Sequence, residues 1–257
     1  MTLIETEIAL SFFLLLTLGH FVGDFLLQPF WLVLAKRQGW VGLIIHVGVV
    51  TFTTAILVWG TIPNWWVWII VLFIGHLFID QFRTFIFVDN SKGKGLLLLF
   101  LDQLAHIVLI MLIAWAATGW TPESLTLLLD PQTPNQYRMM AYLIGLTILI
   151  STAPVLEIEI TVAVWAAQGQ ETTQTLGIET EDRVLGGLER IIAALLIIFG
   201  FGLLAPFVFL PRLFLMIRHG DYEENRTAVT TKVLTSFGSA LIVALMLQQI
   251  TVPAIFV

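Results

Sequence analysis

Runs of about 20 apolar residues recur along the whole chain, and that spacing restricts what it can fold into. Such a segment spans the hydrocarbon core of a bilayer as one helix. The segments fall at 8–28, 41–60, 65–87, 96–117, 138–154, 184–217 and 227–250 of 257 residues. Composition agrees, with 58% hydrophobic residues, only 12% charged ones and a mean hydropathy of +0.94. A soluble domain carries about twice that charged fraction. The expected fold is all-α: a polytopic transmembrane helical bundle of six to seven membrane segments, one of them re-entrant.

The chain divides into 1–117, a four-helix membrane unit; 118–167, a polar loop with Pro122, Pro131 and Pro134 followed by a fifth helix; and 168–257, a polar linker and C-terminal helices. No sequence repeat is evident beyond one histidine in each early segment. The net charge of -6 is modest, and no basic run points to nucleic acid. Cysteine is absent, so any metal must be held by His, Asp, Glu or backbone oxygen. Glu5 and Glu7 precede the first apolar run without any Lys or Arg, so that run reads as a retained helix and not a signal peptide.

Basic residues near segment ends set the expected orientation. Lys36 and Arg37 in the first connection and Lys92 and Lys94 in the third place both in the cytoplasm, with the N-terminus outside. Trp59, Trp65, Trp66 and Trp68 then belong to the outer aromatic belt. Arg183 and Arg190 stand at the start of the sixth segment and Arg212 and Arg218 at its end, so a single crossing would strand charge outside. Gly200, Gly202, Pro206 and Pro211 interrupt it, and a hairpin with both ends cytoplasmic resolves the conflict.

Ionisable residues inside membrane segments mark functional sites by default, because they are costly to place there. His20, His46, His76 and His106 occupy the first four segments. Three have an aspartate four residues away: Asp24 after His20, Asp80 after His76, and Asp102 before His106. Residues four apart share a helix face, so each pair can point to one place. The reversed order in the fourth segment follows from the alternating direction of the helices, and all seven groups fall at one depth, in the cytoplasmic half.

Imidazole with carboxylate suits a divalent ion, zinc first and manganese or iron next. His20, Asp24, His46, His76, Asp80, Asp102 and His106 exceed the ligands that one ion needs. Either two ions share the site or some aspartates orient ligating histidines. An ion there would activate water for hydrolysis of a lipid or phosphoester, with Asp24, Asp80 or Asp102 as base. The alternatives are a proton or metal-ion transporter, or a membrane scaffold binding metal or haem.

Arg83 is expected to neutralise Asp80 or to hold a phosphate headgroup, unless it is a plain interfacial anchor. Gln28, Gln81 and Gln103 accompany the aspartates and can bond them or a substrate. Glu189 and Arg190, being adjacent, must meet different neighbours, and they are candidate substrate contacts from across the bundle. Glu157 and Glu159, after Pro154, are expected at the interface, and His219 in a solvated loop. No nucleophile elbow, phosphate-binding glycine loop or His-Glu-x-x-His is present.

The string His20-Phe-Val-Gly-Asp24-Phe-Leu-Leu-Gln28, with His46, His76-x-x-x-Asp80 and Asp102-Gln103-x-x-His106, resembles an uncharacterised family of bacterial multi-spanning membrane proteins over roughly 8–117. Gly187-Leu-Glu-Arg190 is similar to a tail element of its longer members. Arg83 departs from the lysine that the resemblance implies. More distantly, the His-x-x-x-Asp helices resemble membrane-bound metal-dependent hydrolases. The resemblance implies a multi-pass protein of the bacterial cytoplasmic membrane with lipid as its surroundings. It names no substrate and no oligomeric state.

Overall fold

The computed structural model describes residues 2–83, 94–169, 180–218 and 221–255. Among these the structure is helical, with no strand. Five helical stretches are long and apolar enough to cross a membrane: Leu3–Leu26, Trp40–Leu57, Gly95–Thr118, Asn135–Ala167 and Arg226–Thr251. Two shorter apolar ones, Trp65–Gln81 and Gly202–Leu215, accompany them. The chain is an all-α membrane protein.

It folds as two compact units, and the first comprises the described residues of 1–89 and 98–147. Its helices are α1 (Leu3–Phe21), α2 (Phe30–Gln38), α3 (Trp40–Leu57), α4 (Trp65–Gln81), α5 (Gly95–Thr118) and α6 (Asn135–Thr147). Thr2 caps α1, accepting from the Glu5 backbone while the Glu5 side chain accepts from Thr2 in return. After Phe21 the helix widens into a π turn, Val22–Leu26, with Leu27 N–H bonding to Val22 O at 2.8 Å. Gln28-Pro29 then breaks it, since proline disfavours helical geometry before it. The first connection is therefore not a bare loop, because α2 occupies it and turns Lys36 inward.

Two glycines one turn apart bring α1 and α3 together. A Cβ on Gly19 would stand 2.7 Å from Thr54 Cα, and one on Gly23 2.5 Å from Val50 Cα. Only glycine admits that approach, the small-residue contact by which membrane helices pack. Away from the histidines the unit is closed by apolar side chains, Ala9, Phe12, Leu16, Leu72, Ile110, Ile113 and Ala114 among them. The loop before α6 contains a 3-10 helix, Pro122–Leu129. Buried Arg138 ties it down, bonding Leu128 O, Asp130 O and Asn135 Oδ1.

The second unit comprises the described residues of 90–97 and 148–256. The fifth segment is longer than the expected 138–154, because Pro154 does not end it. A π turn, Ile148–Thr152, takes up the missing proline N–H, and α7 (Ala153–Ala167) continues. Then come α8 (Thr180–Ile198), a 3-10 turn (Gly202–Phe209), α9 (Leu210–Arg218) and α10 (Asp221–Ile255). Gly200 turns the chain with φ +86°. Arg212 Nη1 lies 3.6 Å from Glu189 Oε2, whereas a straight helical passage would separate them by roughly 35 Å. The 184–217 segment is thus a hairpin. His219, Lys92 and the linker 170–179 lie outside the described residues.

Candidate metal centre

The four helices α1, α3, α4 and α5 carry one histidine each into a single cluster. His20, His46 and His76 are fully buried and His106 nearly so, with Asp24, Asp80 and Asp102 beside them. The rings touch one another, with centroids 4.1 Å apart for His76 and His106, 4.9 Å for His20 and His106, and 5.6 Å for His76 with either His20 or His46.

Asp80 is the hub. Its Oδ2 is 3.1 Å from His46 Nε2 and 3.7 Å from His76 Nε2, and its Oδ1 is 3.7 Å from His106 Nε2. Asp24 Oδ1 is 3.0 Å from His46 Nε2. The π turn sets that last contact, because it departs from the regular four-residue spacing and turns Asp24 towards α3.

Two overlapping sets can hold a metal ion: Asp24, His46 and His76, and His76, Asp80 and His106, each with ligand atoms within 4.8 Å of one another. Ligands at zinc distances stand about 3.3 Å apart in a tetrahedron, and the separations of 3.0–3.7 Å above bracket that value. Orphaned atoms give a second test. His20 Nδ1, both nitrogens of His76 and His106 Nε2 are buried without a hydrogen-bond partner, and an ion would satisfy such lone pairs. Three aspartates against Lys36 and Arg83 leave one excess negative charge, which favours a cation.

The neighbours fix the rings. His106 Nδ1 donates to Asp102 O at 2.9 Å, which turns Nε2 towards Asp80. The Gln28 amide finds complementary partners with its oxygen 3.1 Å from His46 Nδ1 and 3.0 Å from Lys36 Nζ, and its nitrogen donating to Asp24 O at 2.7 Å. His46 therefore offers Nε2 as its ligand atom. The Gln103 amide accepts from His20 Nε2 at 3.3 Å and donates to Asp24 and Asp102, at 3.1 Å each. Such partners orient ligands and hold the tautomer. Gln28 and Gln103 thus brace the centre.

His20 and Asp102 stand outside both ligand sets, although they touch them. Asp102 takes a hydrogen bond from Arg83 Nη1 at 2.8 Å. The expected Arg83–Asp80 pair does not form, because Asp80 points into the histidines. Lys36, read from sequence only as an interfacial charge, lies 3.8 Å from Asp80 Oδ2 and 3.4 Å from His46 Nε2. Its distance from both in sequence hid it; the one available signal was its place just past the Gln28-Pro29 break. Phe78, Ile79, Phe82, Leu98, Leu101 and Ala105, together with Arg83 and Asp102, line a groove of about 330 Å³.

Glu189 and Arg190 belong to the second unit and have their partners there. Arg190 meets Glu157 at 3.2 Å and Glu189 approaches Arg212, different neighbours as adjacency requires. Glu157, expected at the interface, is 5% exposed, because the continuous helix through Pro154 carries it into the second unit's interior.

No curated protein and no solved structure matches the chain. The more distant likeness to membrane-bound metal hydrolases therefore gains no support. Residues 12–133, which contain every ligand candidate, match the model of a family described as Protein of unknown function (DUF3307). The likeness to an uncharacterised family, read from the His/Asp motifs, holds over the part of the chain that builds this centre, which is similar to that domain of unknown function.

Proposed function

We propose that the chain is a membrane-embedded, divalent-metal-dependent hydrolase acting on a lipid or phosphoester, with its centre at the cytoplasmic side of a bacterial inner membrane. The observation that carries this reading is the groove. Its apolar walls suit an acyl chain, and Arg83 and Asp102 are among the residues that line it, Asp102 lying 3.9 Å from His106. An amphiphile entering head first would place its charged group at Arg83, next to the His/Asp cluster.

His46, His76, His106, Asp24 and Asp80 would hold the ion, zinc by preference, with manganese or iron compatible with the same donors. The ion, when bound, would supply Lewis acidity and lower the pKa of water. Asp102 would act as the base: its Oδ1 has no hydrogen-bond partner and stands 3.9 Å from His106 Nδ1. Arg83 would leave Asp102 for the headgroup and so free it. Gln103 and Gln28 hold the ligands still, and Lys36 offsets the carboxylates.

A transport pathway is less well supported. Beyond the histidines the described interior is largely apolar, and Thr17, Thr51, Thr53 and Thr54 there donate to the carbonyls of their own helices at 2.9, 2.6, 2.8 and 2.8 Å. Haem fits poorly as well, since rings in mutual contact leave no gap for a macrocycle. The test is turnover of phosphoester and acyl-ester lipids in mixed micelles by zinc-loaded protein. Asp102→Asn is expected to abolish turnover with metal retained, and Arg83→Gln to raise KM. Metal-loaded protein that cleaves none of these classes would sink the enzymatic reading.

A further inference from the structure

The second unit holds a buried charge cluster that the hydrolytic reading does not use. Arg190 on α8 and Arg212 on α9 are 1% and 4% exposed. Both meet one carboxylate: Arg190 Nη1 donates to Glu157 Oε2 at 3.2 Å and Arg212 Nη2 to Oε1 at 2.9 Å. Ser236 on α10 accepts from Arg190 Nη1 at 2.9 Å and from Arg212 Nη1 at 3.4 Å, and donates to Glu157 at 3.1 Å. Arg190 Nε donates to Leu149 O at 2.7 Å. One carboxylate serves two guanidiniums.

Donors are left over. Arg190 Nη2 and Arg212 Nε are buried without a partner, and so are both oxygens of Glu189. Glu189 comes only to 3.6 Å from Arg212 Nη1, beyond hydrogen-bond reach. A network that merely tied helices together would close these bonds, because an unsatisfied buried charge is strongly destabilising. Gly186 packs closely against both guanidiniums, where a Cβ would stand only 3.1 Å from Nη1 of each arginine. There is room one residue on. Gly187 is buried, yet a Cβ on it would meet no described atom within 4 Å.

We propose that the second unit binds a phosphate-class oxyanion between Arg190 and Arg212, with Glu189 as the resident carboxylate that the anion replaces. Two arginines against Glu157 leave one positive charge, which Glu189 balances only at a distance. A monoanionic phosphoryl group restores that balance with oxygens that accept from both guanidiniums, the recognition for which arginine is suited. Either a phospholipid headgroup or free phosphate supplies that chemistry.

The experiment is calorimetric titration of the full chain in detergent, stripped of metal by chelator and carrying Arg83→Gln so that the first unit's headgroup contact does not contribute. The probes are inorganic phosphate and dihexanoyl phosphatidylglycerol. Saturable binding of at least one is expected, weakened about tenfold or more by Arg212→Lys and strengthened by the isosteric Glu189→Gln. Binding of both probes points to free phosphate, and binding of the lipid alone to a headgroup. No saturable binding of either probe overturns the proposal. So does binding that Arg212→Lys leaves intact and Glu189→Gln does not raise. If Arg212→Lys fails to fold, the sign of the Glu189→Gln effect decides.

Discussion

Gly23→Ala tests whether the close crossing of α1 and α3 builds the metal centre. The added Cβ would stand 2.5 Å from Val50 Cα and 3.1 Å from Val50 Cβ, against an ordinary carbon contact of about 3.5–4.0 Å. The helices must part by roughly 1 Å, because backbone cannot swing aside as a side chain can. Overpacking of this kind costs about 1–3 kcal/mol, offset by up to about 1 kcal/mol from replacing a helical glycine. A net loss of about 0–3 kcal/mol follows. The functional effect is larger than the stability effect. Asp24 rides on the same turn, and its 3.0 Å contact with His46 would stretch to about 4 Å, beyond what a shared ion tolerates. Zinc affinity should fall by about 10- to 100-fold. The assay is competition with a chromophoric chelator, alongside thermal unfolding in detergent. Gly48→Ala is the control: it lies on α3, the helix that carries Val50, meets nothing within 4 Å, and should be neutral or stabilising. Wild-type zinc affinity and stability in Gly23→Ala would refute the reasoning.

Ala105→Trp should fill the groove and abolish lipid turnover while leaving metal content unchanged; loss of metal as well would show that the groove and the centre are not separable. Glu157→Gln should lower unfolding stability by about 3 kcal/mol, because it leaves two buried arginines short of charge. A wild-type melting curve would mean that the cluster is hydrated and weakly coupled. Arg138→Met removes three acceptor contacts that anchor the 122–135 segment, and should cost about 2–3 kcal/mol together with faster proteolysis of that loop.

The helical class and the His/Asp set were readable in the sequence for one physical reason. In apolar segments an ionisable residue is costly, so every one that survives stands out, and alternating helix direction puts them at one level. What resisted reading depended on backbone geometry or on distant neighbours. The π turn at Val22–Leu26 leaves no hydropathy mark, yet it aims Asp24. Gly19 and Gly23 read as ordinary small residues until the Thr54 and Val50 backbones are seen against them. Lys36 follows a proline break and obeys the same charge rule as an interfacial anchor, so only the inward turn of α2 reveals its contacts with Asp80 and His46. The burial of Glu157 was hidden because Pro154 suggests a helix end, and the π turn before it lets the helix run on.

The most direct measurement is elemental analysis of the purified full chain after dialysis against trace zinc, for wild type, Asp80→Asn and Asp102→Asn. Asp80 touches three histidines, at 3.1, 3.7 and 3.7 Å, whereas Asp102 is engaged with Arg83 at 2.8 Å. A metal centre built on Asp80 predicts stoichiometric zinc in wild type, near-complete loss in Asp80→Asn and retention in Asp102→Asn. A wild type that takes up no metal, or an Asp80→Asn variant that holds as much as wild type, would contradict it.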